Sequence, residues 1–142
     1  MKKCAFLSMD DLQGLECYDH LVIPHLNELG WQTQEISWRS KQDWSQFDAV
    51  IIRSTWDYQN NEREFIHVLD EIERSGTQLL NGIKTVKWNV NKSYLKELES
   101  ENVPIVPTKW FSHFFLAEIE ASFNYFNCDE IVIKPCVSAG SF

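Results

Sequence analysis

Two lysines, about forty residues apart, stand where nucleotide phosphates could be bound. Lys92 falls at the predicted start of a helix, where the dipole opposes a cation by about 0.3–1 kcal/mol and an adjacent anion would reverse that sign. Lys134 ends the apolar run EIVIKP and precedes a loop whose backbone N–H groups could wrap phosphate oxygens. The small residues of that loop are Ser138, Ala139, Gly140 and Ser141. The pattern favours a nucleotide site, although each lysine alone also fits a solvated element end.

A second group of reactive side chains follows the apolar strand DAVIIRS directly, in the stretch RSTWDY. A guanidinium such as that of Arg53 suits a substrate carboxylate, and Asp57 or Asp10 could hold a substrate amine. The alternative is a polar turn with a tryptophan packed beneath it. The predicted substrate-binding residues are Asp10, Arg53, Thr55, Trp56, Asp57 and Tyr58.

The elements that must position these side chains alternate between strand and helix patterns. Buried strands are predicted at Lys2–Met9, Trp31–Trp38, Asp48–Ser54 and TQLLN, with helices ending before Gly30 and spanning Asn61–Gly76. This alternation is typical of βαβ units, and it predicts an α/β fold with a doubly wound parallel sheet over residues 1–82. Ligands of such sheets bind at the carboxyl ends of the strands, which places Asp10 and RSTWDY along one rim.

After Gly82 the pattern changes and predicts a second, incomplete unit over residues 83–142. The predicted elements are a helix over Asn91–Glu101, a strand at VPIVPTKWF, a helix capped by Ser112 and a strand at EIVIKP.

Composition excludes several functional classes. The 142-residue chain carries a formal net charge of −8, which argues against neutralising the phosphates of a nucleic acid. No apolar run is long enough to span a membrane, and no secretory signal core is present, so a cytoplasmic protein is expected.

The five glycines form neither G-x-G-x-x-G nor a P-loop, and the cysteines and histidines show no metal-site spacing. The oligomeric state stays open, a homo-oligomer included.

Several segments, taken in order, resemble the amino-terminal half of ATP-grasp ligases of the glutathione synthetase-like type. These segments are DAVIIRSTWDY, LLN, VKWNVNKSYLKEL, VPIVPTKW and VIKPCVSAGS. The resemblance implies a pre-ATP-grasp-like domain followed by the start of an ATP-grasp domain. It also implies that Lys92, Lys134 and the small-residue loop contact the phosphates of ATP.

The reaction that the resemblance implies is ATP- and Mg²⁺-dependent ligation of a small-molecule carboxylate and an amine through an acyl phosphate. The magnesium-binding residues of that family lie beyond the position of Lys134, so no metal ligand is expected in this chain. The chain therefore looks like the amino-terminal fragment of a ligase, and we expect the fragment to be inactive alone.

Two other readings stay open on the residues. A response-regulator receiver module also has acids after its first strand and a Lys-Pro pair, but Arg53 stands where its phosphate-accepting aspartate should lie. A non-catalytic α/β binding module would share every feature of the first domain.

Overall fold

The structure is a computed structural model that describes residues 1–12 and 14–139. The strands are β1 (Lys2–Ser8), β2 (Trp31–Ser37), β3 (Ala49–Ser54) and β4 (Gln78–Leu80). The helices are α1 (Asp19–Glu28), α2 (Glu62–Arg74), α3 (Ile83–Asn89), α4 (Tyr94–Ser100) and α5 (Leu116–Phe126), with short 3₁₀ turns at Trp44–Gln46 and Trp56–Asn60.

Among the described residues, four parallel strands form one sheet in the order β2-β1-β3-β4. The chain moves from β1 to β2 on one side and then crosses to β3 on the other side. The strand order therefore reverses between β1 and β3, and such a switch point opens a crevice at the carboxyl ends of the two strands. The predicted α/β class with a parallel sheet is confirmed.

Both faces of the sheet are covered, which explains why β1 and β3 read as continuous apolar runs. One face packs against α2 and α3, and the other packs against α1. The first face buries Ala5, Leu7, Val50, Leu69, Ile72 and Ile83. The second face buries Cys4, Phe6 and Ala49 beneath Ile23 and Leu26. Pairing follows this division, because Cys4 lies opposite Ala49 and Leu7 opposite Ile52.

The ladder between β1 and β3 is irregular at its carboxyl end. Leu7 pairs with Ile52 and Ser8 pairs with Ser54, so Arg53 is an extra residue in β3. A bulge of this kind changes which face the following side chain occupies, because side chains alternate with a period of two.

The described chain forms two compact units. One consists of Met1–Val90 with Ala139, and the other of Asn91–Ser138. Helix α3 was not predicted; its Ile83 is 3% exposed in the core of the first unit. The predicted division into residues 1–82 and 83–142 stays a prediction.

The two strands predicted in the second unit are wrong. VPIVPTKWF and EIVIKP have no strand pairing in the described chain, and Val106 and Val132 are each 81% exposed. Their β-branched residues favour extended backbone, but a strand also needs a hydrogen-bonded neighbour.

Two predicted helix starts are also wrong. Helix α4 begins at Tyr94 rather than at Asn91, because the Asn91 side chain accepts the Ser93 N–H at 2.9 Å and forms a local turn. Helix α5 begins at Leu116, and Glu118 accepts the Phe115 N–H at 2.8 Å, so Ser112 does not cap it.

Within the described ranges, no helix has both the length and the apolar character that crossing a bilayer requires.

Candidate functional site

An open pocket of about 530 Å³ lies at the switch point of the sheet. Ser8 and Ser54 line it from the ends of β1 and β3, and further residues come from the loop after β1, the start of α1 and the end of β2. Its carboxylates belong to Asp10, Asp11, Asp19 and Glu35. Because the described lining contains no lysine or arginine, the pocket is acidic and suits a cationic group such as an ammonium.

Arg53 lies at this rim and is bound to Asp19, the first residue of α1. Its Nε donates to Asp19 Oδ1 at 2.7 Å, and its Nη2 donates to the same oxygen. The Asp19 side chain is 1% exposed, whereas that of Arg53 is 41% exposed. The guanidinium is therefore anchored on one side and open to solvent on the other.

The bulge in β3 brings Ser54 into the same cluster. Without the extra residue, Ser54 would point to the α2 face, but its Oγ donates to Asp19 Oδ2 at 3.2 Å on the α1 face. Cys17 Sγ lies 2.9 Å from Ser54 Oγ. Burial raises the pKa of Asp19, but hydrogen bonds from Arg53, Cys17 and Ser54 and the Arg53 charge together hold that pKa below its usual value. The Asp19 carboxyl is thus an anion at neutral pH.

Asp57 does not project freely into the pocket. Its Oδ1 accepts the indole N–H of Trp38 at 2.8 Å, and its Oδ2 accepts a hydrogen bond from Arg39 Nη1. Arg39 also stacks on the Trp38 ring, 3.9 Å from the ring centroid. Since Trp38 is fully buried, Asp57 satisfies a donor that has no access to water.

Of the two acids predicted to bind substrate at the rim, Asp10 is more accessible than Asp57. Its side chain is 63% exposed, and its Oδ1 accepts from Ser37 Oγ at 2.5 Å. Arg39 Nη1 lies 3.8 Å from its Oδ2, which is a long ion pair. The carboxylate retains room for a further donor.

The remaining predicted substrate residues are held mainly by packing. Thr55 is 4% exposed, and Trp56 is half-buried at the start of a 3₁₀ turn. Tyr58 stacks on Phe65, with 5.3 Å between the ring centroids. Burial raises the pKa of Tyr58, and the charge of Glu62 adds to this effect.

In the second unit, Lys92 contacts the small-residue loop. Its Nζ donates to Ser138 Oγ at 2.6 Å and to Ser138 O at 3.3 Å, while its backbone N–H donates to Cys136 O at 2.8 Å. Lys92 precedes α4, so its predicted position in the first turn of that helix is wrong. Lys92 and Ser138 are thus in contact, and their role as phosphate ligands stays a prediction.

The other predicted phosphate ligands show fewer contacts or lie outside the described residues. Lys134 is exposed, and Ala139, which clusters with the first unit, donates its N–H to Gln59 Oε1 at 2.6 Å. Gly140 and Ser141 lie outside the described residues.

Sequence reasoning missed Asp19 and Arg39. An acid in the first turn of α1 was visible in the sequence, but its contact with Arg53 spans 34 positions and depends on tertiary packing. In the described part of the chain, no group of three or more His, Cys, Asp or Glu side chains is arranged to hold a metal ion.

Comparison with known families gives a match over the sheet-bearing part of the chain. The profile of the D-cycloserine synthetase DcsG N-terminal domain matches residues 4–81, more than half of the sequence. The chain belongs to the DcsG N-terminal domain family. The matched range of this DcsG-type domain contains the switch-point pocket, Asp19 and Arg53.

Individual relatives agree with this family. The DcsG-type chain is 35% identical over 66 residues to the cycloserine biosynthesis protein DcsG of Streptomyces lavendulae. That alignment covers 46% of this chain and 22% of the relative.

Solved structures show the same fold. The crystal structure of D-cycloserine synthetase DcsG matches 88% of the DcsG-type chain and 43% of its own length, with a TM-score of 0.72 and 23% identity. A RimK-domain ATP-grasp protein from Sphaerobacter thermophilus matches 75% of this chain and 41% of its own, with a TM-score of 0.54 and 17% identity. The DcsG-type chain therefore spans less than half the length of these structures.

Proposed function

We propose that the chain supplies the amino-terminal, substrate-binding part of an ATP-dependent carboxylate–amine ligase. The observation that carries this proposal is the coincidence of the DcsG family match with an acidic pocket at the switch point of the sheet, whose rim carries Arg53. The substrate is a small amino acid or a related compound. The relatives are named for the synthesis of cycloserine, a small-molecule product, which agrees with a small substrate.

In the proposed site, Arg53 binds the carboxylate of the substrate and Asp10 accepts the ammonium. Arg53 is partly exposed at the rim, and the Asp10 carboxylate has room for another donor. Asp57 stays a weaker candidate for the amine, because both of its oxygens already accept hydrogen bonds. Thr55, Trp56 and Tyr58 support the rim through packing.

The proposed chemistry proceeds in two displacements. A carboxylate oxygen attacks the γ-phosphorus of ATP, the bond to the ADP oxygen breaks, and an acyl phosphate forms. The amine nitrogen then attacks the acyl carbon, inorganic phosphate leaves, and the nitrogen loses a proton to give the amide. Catalysis of such transfers consists mostly of positioning and charge neutralisation.

For the nucleotide we propose Lys92, Lys134 and the loop Ser138–Ser141 as phosphate ligands, within a region that begins near residue 83. Lys92 Nζ lies within hydrogen-bond distance of Ser138, so an ammonium and part of the small-residue loop already share one location. Magnesium would neutralise charge on the phosphates when bound, and we assign none of the described residues to it.

The complete product of the gene, whatever its length, provides the test of this function. Candidate amino acids are supplied with Mg²⁺ and ATP, and ADP release is measured together with the mass of the product. We expect ADP release that depends on one amino acid and a product lighter than its substrates by one water. Lys134→Ala should lower turnover far more than Lys134→Arg, because the phosphate requires charge. Phosphorylation of the protein by acetyl phosphate would instead favour a receiver module.

The 142-residue chain alone should bind ATP only weakly, with a dissociation constant on the order of millimolar. This constant corresponds to a binding free energy of about −4 kcal/mol. Equilibrium dialysis with labelled ATP measures this constant, and micromolar binding would contradict the prediction.

A further inference from the structure

Asp19 is a buried carboxylate that forms an ion pair with Arg53. It is 1% exposed, and three donors from β3 reach it: Arg53 Nε, Arg53 Nη2 and Ser54 Oγ. Burying a charge carries a desolvation cost, and an apolar pair of similar volume commonly stabilises a fold as well or better. Stability alone is therefore a weak explanation for this pair.

The geometry of the pair leaves one edge of the guanidinium available. Arg53 uses Nε and Nη2 to bind Asp19, and its Nη1 makes no hydrogen bond to any described residue. The bulge places Arg53 and Ser54 next to each other at the switch point, both directed at Asp19. A free arginine side chain loses rotamer entropy when it binds an anion, so an anchor that already fixes it lowers the cost of that binding.

We propose that Asp19 is a positioning residue that holds Arg53 with its Nη1 edge presented to the substrate carboxylate. This inference rests on the proposed function, since it assumes that Arg53 is the carboxylate ligand. Ser54 fixes the second oxygen of Asp19 and so prevents the carboxylate from rotating away from Arg53.

The test compares two ligands that differ only at the carboxylate. D-serine and D-serinamide are titrated into the ¹⁵N-labelled 142-residue chain, and dissociation constants are taken from chemical-shift changes. The wild-type chain should prefer D-serine, and Asp19→Asn should reduce that preference by roughly tenfold or more. A merely structural role would weaken both ligands equally and leave the ratio unchanged, which would overturn the proposal.

A second arm asks whether Asp19 acts through Arg53. In an Arg53→Met background, which keeps the aliphatic stem, Asp19→Asn should change the D-serine constant no further, because the interaction is already lost. Additive losses would contradict the proposal. Asp48→Asn is the matched control, since the Asp48 carboxylate also accepts a hydrogen bond, in its case from the Lys3 backbone N–H at 2.7 Å, but Asp48 precedes the amino end of β3.

The arginine Nε–H signals separate this inference from the proposed function. An anchored Arg53 should give a slowly exchanging Nε–H resonance that Arg53→Lys removes and Asp19→Asn shifts or broadens. A rapidly exchanging signal in the wild-type chain would overturn the positioning role, even if D-serine binds. Failure of the wild-type chain to prefer D-serine would overturn the carboxylate site, even if the signal is protected.

Discussion

Substitution of Asp57 distinguishes a structural role of this residue from a role in substrate binding. Asp57→Ala removes the acceptor of the Trp38 indole N–H, and Trp38 is fully buried. A buried donor without a partner costs about 1–3 kcal/mol. The lost ion pair with Arg39 adds roughly 0.5–1 kcal/mol, because the two side chains are 28% and 22% exposed and solvent screens the pair.

We therefore expect Asp57→Ala to lower the free energy of unfolding by about 1.5–4 kcal/mol, a large part of the 5–15 kcal/mol of a typical domain. Asp57→Asn should cost less, roughly 1 kcal/mol, since its amide oxygen still accepts from Trp38 while the charge opposite Arg39 is lost. Urea unfolding followed by far-UV circular dichroism measures both values, and the dependence on urea concentration should be unchanged.

A double-mutant cycle with Trp38→Phe identifies the interaction responsible. If the indole N–H carries most of the effect, Asp57→Ala should cost clearly less in the Trp38→Phe background than in the wild type. Glu73→Ala, an exposed substitution on α2, is the control and should stay within about 0.5 kcal/mol. An Asp57→Ala protein as stable as this control would refute the structural role and leave Asp57 available for the substrate.

Three further predictions concern the core, acid stability and thiol reactivity. Leu69→Ala should destabilise by about 2–5 kcal/mol in urea unfolding, because the side chain is fully buried, whereas Leu29→Ala, 76% exposed, should change little. The pKa of Asp19 is lowered on folding, so its contribution is complete above the unfolded value near 3.8 and is lost as the pH falls through the folded value; Asp19→Asn should flatten stability measured between pH 5 and pH 2. Burial raises the pKa of the Cys4 thiol, so a chromogenic disulfide reagent should modify exposed Cys136 first and Cys4 only in urea, and equal rates in buffer would contradict this.

Local sequence patterns were sufficient for the four strands and for helices α1 and α2 of the first unit, but not for α3. The runs around Phe6 and Val50 are apolar because both faces of a parallel sheet are buried, and the helix around Leu69 shows the spacing of an amphipathic face. These patterns depend on neighbours within one turn of helix or one step of strand, so the sequence carries them directly. The position of the rim followed from strand direction alone.

Patterns were misleading where an element depends on a partner. The segments around Val106 and Val132 have strand-like composition, but no described residue pairs with them. A local contact also changed one helix boundary. Helix α4 begins three residues later than predicted, because the Asn91 side chain competes with the helix for a backbone N–H.

The sequence by itself determined the α/β class, the alternation of strands and helices, and the rim on which Asp10 and Arg53 lie. Tertiary structure decided what those side chains do. The bulge that places Ser54 beside Arg53 depends on pairing between β1 and β3, and it has no signature in β3 alone. The partners of Arg53 and Asp57 lie 34 and 19 positions away, at Asp19 and Trp38. Only the packing of α1 onto the sheet and the pairing of β2 with β1 bring them within hydrogen-bond distance.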